Sequence, residues 1–277
     1  MYYNIIVNVR KDIYMNYNIL YSCISHIGNV RRINQDNIIC NGIYTKADDK
    51  NIQYPICGVS SSKTPSVFGI FDGMGGESCG EIAAYIAAQN AAAIDIGKDA
   101  VGALSRYCAK TNMDICKYAD ENGISSMGTT AALLAFTEKK VTLCNIGDSK
   151  IFRFCDGTLE QISFDHVSVA AYGTKPPLSQ NLGIPPTELI IEPYFAQGAY
   201  NDGDVYLISS DGLTDMITTE EITEILTSKP IEEACTELLE KALANGGHDN
   251  ITIILCKIER KSGSFFRHKR KNKKKEV

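Results

Sequence analysis

The 277-residue sequence contains no tryptophan, only four histidines, and no Cys-x-x-Cys pair among its ten cysteines. Single cysteines inside apolar stretches are typical of buried thiols in a reducing compartment, so they argue against a disulfide scaffold and predict a cytoplasmic protein. No run of about 18 apolar residues is present, which argues against a helical membrane span. With 44% apolar residues, the chain is long enough to form a core without disulfides.

Three kinds of phosphoryl chemistry lack their sequence signatures. No Gly-x-x-x-x-Gly-Lys-Ser/Thr loop exists to hold a nucleotide phosphate. No cysteine has an arginine six positions later, as cysteine-dependent phosphatases require. The segment Asp202-Gly203-Asp204 has the Asp-x-Asp spacing of an aspartate nucleophile, but it follows Ala199-Tyr200-Asn201 instead of an apolar strand. We interpret it as a turn before a strand.

The charge is unevenly distributed along the chain. Residues 260–277 hold nine of the 28 basic residues and one of the 33 acidic ones, which leaves 19 basic against 32 acidic residues elsewhere. Such an acidic body argues against specific nucleic-acid binding and suits a protein that gathers carboxylates around cations. We predict that residues 260–277 are a basic, disordered tail. The alternative is weak contact with an anionic surface such as a membrane, an RNA or an acidic partner.

The remaining sequence predicts one large domain over residues 19–259. Residues 1–18 show no clear period and are interpreted as a leader or a disordered start, with Met15 as an alternative first residue. From residue 19 the order is strands, two helices, many strands, two helices and a last strand. Runs of strands separated from helices predict an α+β fold rather than an alternating parallel sheet.

Strands and helices are predicted from apolar periodicity and turn residues. The predicted strands are Leu20–Ser25, Asn37–Cys40, Ser66–Phe71, Thr130–Thr137, Lys140–Asn145, Lys150–Cys155, Leu189–Phe195, Asp204–Ser209 and Ile251–Ile258. The predicted helices cover about 78–94, 99–119, 219–226 and 231–243. Thr218, three residues before Glu221, predicts a capping box at the start of the third helix.

Five aspartates stand where apolar strands begin or end: Asp36, Asp72, Asp148, Asp211 and Asp249. One Asp-Gly pair is a common turn, but five aspartates at strand boundaries indicate convergence on one point. Clustered carboxylates repel each other, so their convergence requires cations. Oxygen-only ligands favour Mg²⁺ or Mn²⁺ over zinc. The pattern therefore predicts a metal site.

These aspartates belong to seven short motifs that occur in a fixed order. The motifs are Arg31-x-x-Asn34-Gln35-Asp36, Phe71-Asp72-Gly73-Met74-Gly75-Gly76, Gly128-Thr129-Thr130-Ala131, Asn145-Ile146-Gly147-Asp148-Ser149, Asp165-His166, Ser210-Asp211-Gly212 and Gly247-His248-Asp249-Asn250. Together they resemble the metal-dependent type 2C serine/threonine protein phosphatases, over about residues 22–257. Met74, where many eukaryotic members have histidine, makes the chain most similar to the bacterial branch. The resemblance implies a four-layer αββα sandwich with two central antiparallel sheets.

The resemblance also implies a role for each aspartate. The residue that matches Asp72 bridges two core ions, Mg²⁺ or Mn²⁺, in the family. The other ligands carried over are Asp211 and Asp249 for one ion, Asp36 and the carbonyl of Gly73 for the other, and Asp148 with Asp211 for a third, weaker ion.

The implied reaction is hydrolysis of phosphoserine and phosphothreonine in proteins. Two ions that share a water lower its pKa from about 15.7 towards neutrality, which supplies a hydroxide for attack on phosphorus. Arg31 would hold the phosphate with a bidentate fork; the adjacent Arg32 is the alternative. Because Met74 cannot protonate the leaving group, a metal-bound water or solvent would supply that proton.

Substrate choice stays open, because the flap at about residues 164–192 is shorter than in many family members. We expect phosphoprotein substrates, an opposing serine/threonine kinase and a monomeric chain. Two other functions stay open: a non-catalytic pseudophosphatase that acts as a binding module, and a phosphatase of small phosphoesters.

Overall fold

The computed structural model describes residues 16–47, 51–74, 79–138, 140–169 and 176–261. The strands in these ranges are β1 (Tyr17–His26), β2 (Asp36–Cys40), β3 (Ile56–Ser61), β4 (Ser66–Met74), β5 (Gly128–Thr129), β6 (Ala131–Phe136), β7 (Val141–Ile146), β8 (Lys150–Cys155), β9 (Thr158–Gln161), β10 (Tyr194–Gly198), β11 (Val205–Ser209) and β12 (Ile251–Arg260). The helices are α1 (Gly80–Ala92), α2 (Ala100–Asn122), α3 (Asp211–Thr214), α4 (Thr219–Ser228) and α5 (Ile231–Ala244).

The strands form two antiparallel sheets. The first has the order β3-β1-β12-β11-β8-β9, and the second has the order β10-β7-β6-β4-β2, with the short β5 paired to β4. Strands β2, β6, β7 and β11 are buried along their whole length. Continuous burial is expected for strands that are covered on both faces, and these strands are accordingly apolar rather than alternating.

Three layers of apolar side chains hold the sheets and helices together. Between the sheets, Phe68 and Leu134 of the second sheet pack with Ile254 of the first. Helices α1 and α2 cover the outer face of the second sheet, whereas α3, α4 and α5 cover the outer face of the first. This arrangement confirms the predicted four-layer αββα sandwich.

The small side chains of α1 explain how closely it packs on its sheet. Ala83, Ala84, Ala87 and Ala88 are completely buried, and a row of methyl groups lets the helix backbone approach the strands. The third predicted helix begins as expected: the Glu221 amide donates to Thr218 Oγ1 at 3.3 Å, and the Thr218 amide donates to Glu221 Oε2 at 2.9 Å. The start predicted for the first helix near Ser78 lies outside the described residues.

Several predicted boundaries need correction. The strand predicted at Leu189–Phe195 is wrong over most of its length, because β10 begins only at Tyr194; the preceding Pro193 has no amide proton to donate to a ladder. Strands β3 and β9 were not predicted, and both are short edge strands with exposed positions. Strand β1 begins at Tyr17, two residues before the predicted start of the domain.

The sequence analysis also made predictions for the two ends of the chain, residues 1–18 and 260–277. Residues 1–15 and 262–277, which include most of the predicted leader and most of the basic tail, lie outside the described residues. Within the described ranges, no helix combines the length and the apolar character that crossing a bilayer requires.

Candidate metal centre

The predicted aspartates meet at one end of the sandwich: Asp36 lies in β2, Asp72 in β4 and Asp211 at the start of α3, whereas Asp148 and Asp249 lie in loops. A cavity of about 440 Å³ opens at this end. Its lining includes Arg31, Asp72, Gly73, Asp148, Asp211 and Asp249. Asp36 lies beneath it, directly opposite Asp72 in the β2–β4 pairing, with 6% of its surface exposed. The structure therefore brings all the predicted site residues together.

Asp36 is held in place through one oxygen only. Thr252 donates its hydroxyl to Asp36 Oδ2 at 2.6 Å, and the Thr252 hydroxyl in turn contacts Ser25 Oγ at 2.8 Å. The other oxygen, Oδ1, is buried and has no hydrogen-bond partner. Burial, followed by repulsion from Asp211 and Asp249, raises the pKa of Asp36 to about 7. A positive partner at Oδ1 would remove both the unsatisfied acceptor and the repulsion.

Asp72 is fixed by its backbone, which leaves its carboxylate available to the cavity. Its amide donates to Thr130 Oγ1 at 3.0 Å, and its carbonyl accepts from the Thr130 amide at 2.9 Å and from Thr129 Oγ1 at 3.0 Å. Burial is the main cause that raises the pKa of Asp72 well above its ordinary value; repulsion from Asp36, Asp211, Asp148 and Asp249 adds to it. The Gly-Thr-Thr motif thus serves to anchor Asp72.

Two glycines allow the loops to approach closely. A Cβ on Gly73 would stand 2.2 Å from the carbonyl oxygen of Gly80 and 2.4 Å from that of Gln35. Gly28 has a φ of +80°, and a Cβ there would stand 2.1 Å from the carbonyl oxygen of Asp249. Larger residues at either position would push apart the segments that carry the aspartates.

Arg31 lies at the rim of the cavity. Its Nη2 is 2.6 Å from Asp249 Oδ2, and about half of the Arg31 side chain remains exposed. The adjacent Arg32 is not among the cavity-lining residues. Of the two candidate arginines, Arg31 is therefore the one placed to meet a phosphate.

Asn250 is a residue whose role sequence reasoning missed, although it belongs to one of the seven motifs. Its Nδ2 donates to the carbonyls of Ile27 and Ile33 at 2.9 and 3.0 Å, and its Oδ1 accepts from the Gln35 amide at 2.8 Å. One side chain therefore holds both ends of the loop that carries Arg31. Its position directly after Asp249 was the available signal.

Met74 lines the cavity, and no histidine is among the lining residues in the described part of the chain. A thioether cannot act as a proton donor at this position. Leaving-group protonation by a protein histidine, as expected for the eukaryotic branch, therefore has no counterpart among these lining residues.

The donor set fits divalent cations. No three carboxylate, imidazole or thiol groups within the described ranges are arranged so that they could hold a metal ion as they stand. Bare carboxylates repel each other, and Asp249 is paired with Arg31. The buried, unpartnered Oδ1 of Asp36 and the raised pKa values of Asp36 and Asp72 nevertheless show negative groups that lack compensating positive charge. Carboxylate oxygens are the ligands that Mg²⁺ and Mn²⁺ prefer.

Comparison with known proteins agrees with this fold and site. The profile of the family described as Protein phosphatase 2C matches residues 57–255. The chain is 30% identical over 201 residues to the serine/threonine protein phosphatase PstP of Mycobacterium tuberculosis, covering 68% of this chain but only 39% of that protein. It is 27% identical over 248 residues to the serine/threonine phosphatase stp of Listeria monocytogenes, covering 82% of this chain and 91% of that one.

A solved structure shows the same architecture. The catalytic domain of PstP in complex with two manganese ions superimposes with a TM-score of 0.70 at 27% identity, covering 87% of this chain and 99% of that one. The chain belongs to the protein phosphatase 2C family.

Proposed function

We propose that this chain is a metal-dependent phosphatase of phosphoserine and phosphothreonine in proteins, of the bacterial type. The observation that carries the proposal is the convergence of five aspartates, from five separate segments of the chain, in or directly beneath a cavity with an arginine at its rim. Family membership supports the same activity, since the relatives named above are serine/threonine phosphatases.

The proposed metal ligands are the residues predicted from the sequence. Asp72 would bridge two core ions, and the further ligands would be Asp36, the Gly73 carbonyl, Asp211 and Asp249, with Asp148 and Asp211 at a third ion. When bound, the two core ions would supply a water of lowered pKa as the nucleophile near neutral pH. We propose Mg²⁺ or Mn²⁺ as the ions, since manganese in the PstP structure and the oxygen ligands both fit hard divalent cations.

The chain's own residues would bind and orient the substrate. Arg31 offers two parallel N–H donors to the phosphoryl oxygens, which is the geometry that guanidinium groups favour. Asn250 fixes the loop on which Arg31 stands, so the guanidinium is held near the cavity before the substrate arrives. Thr130 and Thr252 hold Asp72 and Asp36 at the cavity despite their repulsion.

The free cysteines support a reducing environment. All ten cysteines are unpaired thiols, as expected for a protein that stays in the cytoplasm. We propose that the chain acts there as a monomer and removes phosphate groups that a serine/threonine kinase has added.

The direct test is phosphate release from a phosphothreonine peptide, measured with Mn²⁺ and then with excess chelator. We expect release that requires the metal and is restored when metal is added back. Asp211→Ala, with folding checked by circular dichroism, is expected to abolish it. A folded chain that binds the phosphopeptide but releases no phosphate would instead be the non-catalytic binding module.

A further inference from the structure

A second, larger groove lies directly beside the metal-site cavity. It encloses about 1000 Å³ between the C-terminal half of α2, the loop 123–128 and the segment 181–188. Met74 lines both the groove and the cavity, and Gly128 of the groove pairs with Met74 between β4 and β5. A polypeptide whose phosphorylated residue enters the cavity therefore has a path into this groove.

The groove is already formed in the structure. The buried Asn112 of α2 accepts from the amides of Gly183 and Ile184 at 2.7 and 3.1 Å, and it donates to the Ile184 carbonyl at 2.8 Å. The neighbouring Leu182 exchanges two backbone hydrogen bonds of 2.9 Å with Thr129. These contacts fix one wall of the groove to α2, so little ordering is required when a ligand binds.

Acidic side chains dominate the charge of the groove. Its lining carries Asp120, Glu121 and Glu188 against one cation, Lys117, and Lys117 lies 3.7 Å from Glu121. Burial raises the pKa of the Cys116 thiol, and the carboxylates of Asp120 and Glu188 raise it further. The carboxylates of Asp120 and Glu188, which lie on opposite walls of the groove, are therefore both close enough to affect Cys116.

Between these charges the surface is apolar and adaptable. Met113 is 54% exposed, and it lines the groove together with Met127, Ile124, Ile184 and Pro185. Unbranched methionine side chains adjust to ligands of different shape. Such a surface suits the aliphatic stems of lysine and arginine side chains, whose charged ends reach the carboxylates.

We propose that this groove binds the polypeptide that flanks the phosphorylated residue, and that Asp120 and Glu188 select basic side chains there. The inference rests on the proposed phosphatase function and names the substrate class of that site. Charge complementarity is the reason to assign the groove to a basic substrate segment. A solvent-exposed ion pair changes affinity by about two- to fivefold, so the two carboxylates together account for about four- to twenty-fivefold.

The test compares kcat/KM for two phosphothreonine peptides of equal length, one flanked by lysine and arginine and one by glutamine. The variant is Asp120→Asn with Glu188→Gln. The matched control is Glu232→Gln with Glu240→Gln, which removes the same charge from a separate surface on α5. Para-nitrophenyl phosphate, which is too small to reach the groove, measures basal turnover.

We expect the unmodified chain to prefer the basic peptide by about tenfold, and the groove variant to lose most of this preference. Turnover of para-nitrophenyl phosphate and of the glutamine peptide should stay unchanged in both variants. Equal rates for the two peptides, with metal-dependent turnover intact, would overturn the groove assignment alone. No turnover of any of the three substrates would overturn the phosphatase function itself. Faster turnover of the glutamine peptide by the groove variant would assign the groove to the chain's own basic residues 262–277 and would also overturn the proposal.

Discussion

Replacing Asp36 by asparagine should stabilise the metal-free protein while it damages the metal site. Asp36 is buried opposite Asp72, and its ionised form is disfavoured by burial and by the neighbouring carboxylates. An amide of nearly the same shape removes the charge and keeps an oxygen that can accept from Thr252. The substitution therefore allows two quantities to be measured separately: the unfolding free energy lost by bringing the carboxylates together, and the stabilisation that added cations provide.

The size of the effect follows from the pKa of Asp36. A carboxyl that titrates at about 7 instead of 3.8 costs the folded protein about 4 kcal/mol when ionised, since a tenfold change in proton affinity corresponds to about 1.4 kcal/mol. Part of this free energy is repulsion that Asp211 and Asp249 also experience. We therefore expect Asp36→Asn to raise the free energy of unfolding by about 1–3 kcal/mol at pH 8. For a domain of this size that raises Tm by about 3–10 °C.

The raised pKa of Asp36 also fixes the direction in which stability changes with pH. In the unfolded chain this carboxyl titrates near its ordinary value, so between about pH 4 and pH 7 the folded state binds more protons than the unfolded state. The unmodified chain should therefore lose stability as the pH rises through this window. The stability advantage of Asp36→Asn should be near zero at pH 4 and complete by pH 8.

The assay is thermal unfolding at several pH values in excess chelator, repeated with Mn²⁺. Asp95→Asn is the matched control, because it removes the same charge from an exposed position. Added Mn²⁺ should stabilise the unmodified chain more than the variant, since the variant lacks one of the proposed anionic ligands. If Asp36→Asn unfolds at the same or a lower temperature than the unmodified chain at pH 8 in chelator, the account of this site as an assembly of uncompensated charges is wrong.

Three further substitutions test the residues around the cavity. Asp72→Asn should lower Mn²⁺-dependent turnover at least several hundredfold, because the proposed bridging ligand is removed, without lowering Tm in chelator; near-normal turnover would refute the assignment. Arg31→Ala should lower kcat/KM for a phosphopeptide about 10- to 100-fold through the loss of charge-assisted hydrogen bonds, and an unchanged value would shift the role to Arg32. Asn250→Ala should cost about 2–4 kcal/mol of unfolding free energy, because it leaves two carbonyls and one amide without their partner. The control Asn245→Ala removes one exposed side-chain contact, with Met216, and a similar loss there would contradict the anchoring role of Asn250.

The fully buried strands β2 and β11 differ from prediction by one residue each, because burial on both faces dictates an apolar composition. Strand β8 lies at Lys150–Cys155 as predicted, although only two of its six residues are buried. Strands β3 and β9 were not predicted because both have exposed positions and neither has a continuous apolar run, so pairing with a neighbour is what stabilises them. The same reason explains the misplaced start of β10, which is paired only through β7.

In the site, the aspartates could be predicted from the sequence, but the residues that hold them could not. Aspartates at strand ends are visible in a sequence because a charge beside an apolar run stands out. The supports are not visible in this way. Thr252 lies within an apolar strand and is separated from Asp36 by 216 residues, yet its hydroxyl donates to Asp36 Oδ2. Thr130 belongs to one of the seven motifs, but its hydrogen bond with the Asp72 amide is visible only in the structure.

Uncharged residues such as Thr130 and Thr252 allow the fold to keep carboxylates close together. Two of the aspartates are held by a segment other than their own: Asp36 by Thr252 of β12, and Asp72 by Thr129 and Thr130, which precede β6. These three threonines are buried, so the packing that buries them opposes the mutual repulsion of the carboxylates. Cations bound at the proposed site would relieve a repulsion that the fold has already overcome, and the free energy gained in this way would contribute to metal affinity. A site built in this way depends as much on its threonines and on Asn250 as on the aspartates that would contact the ions.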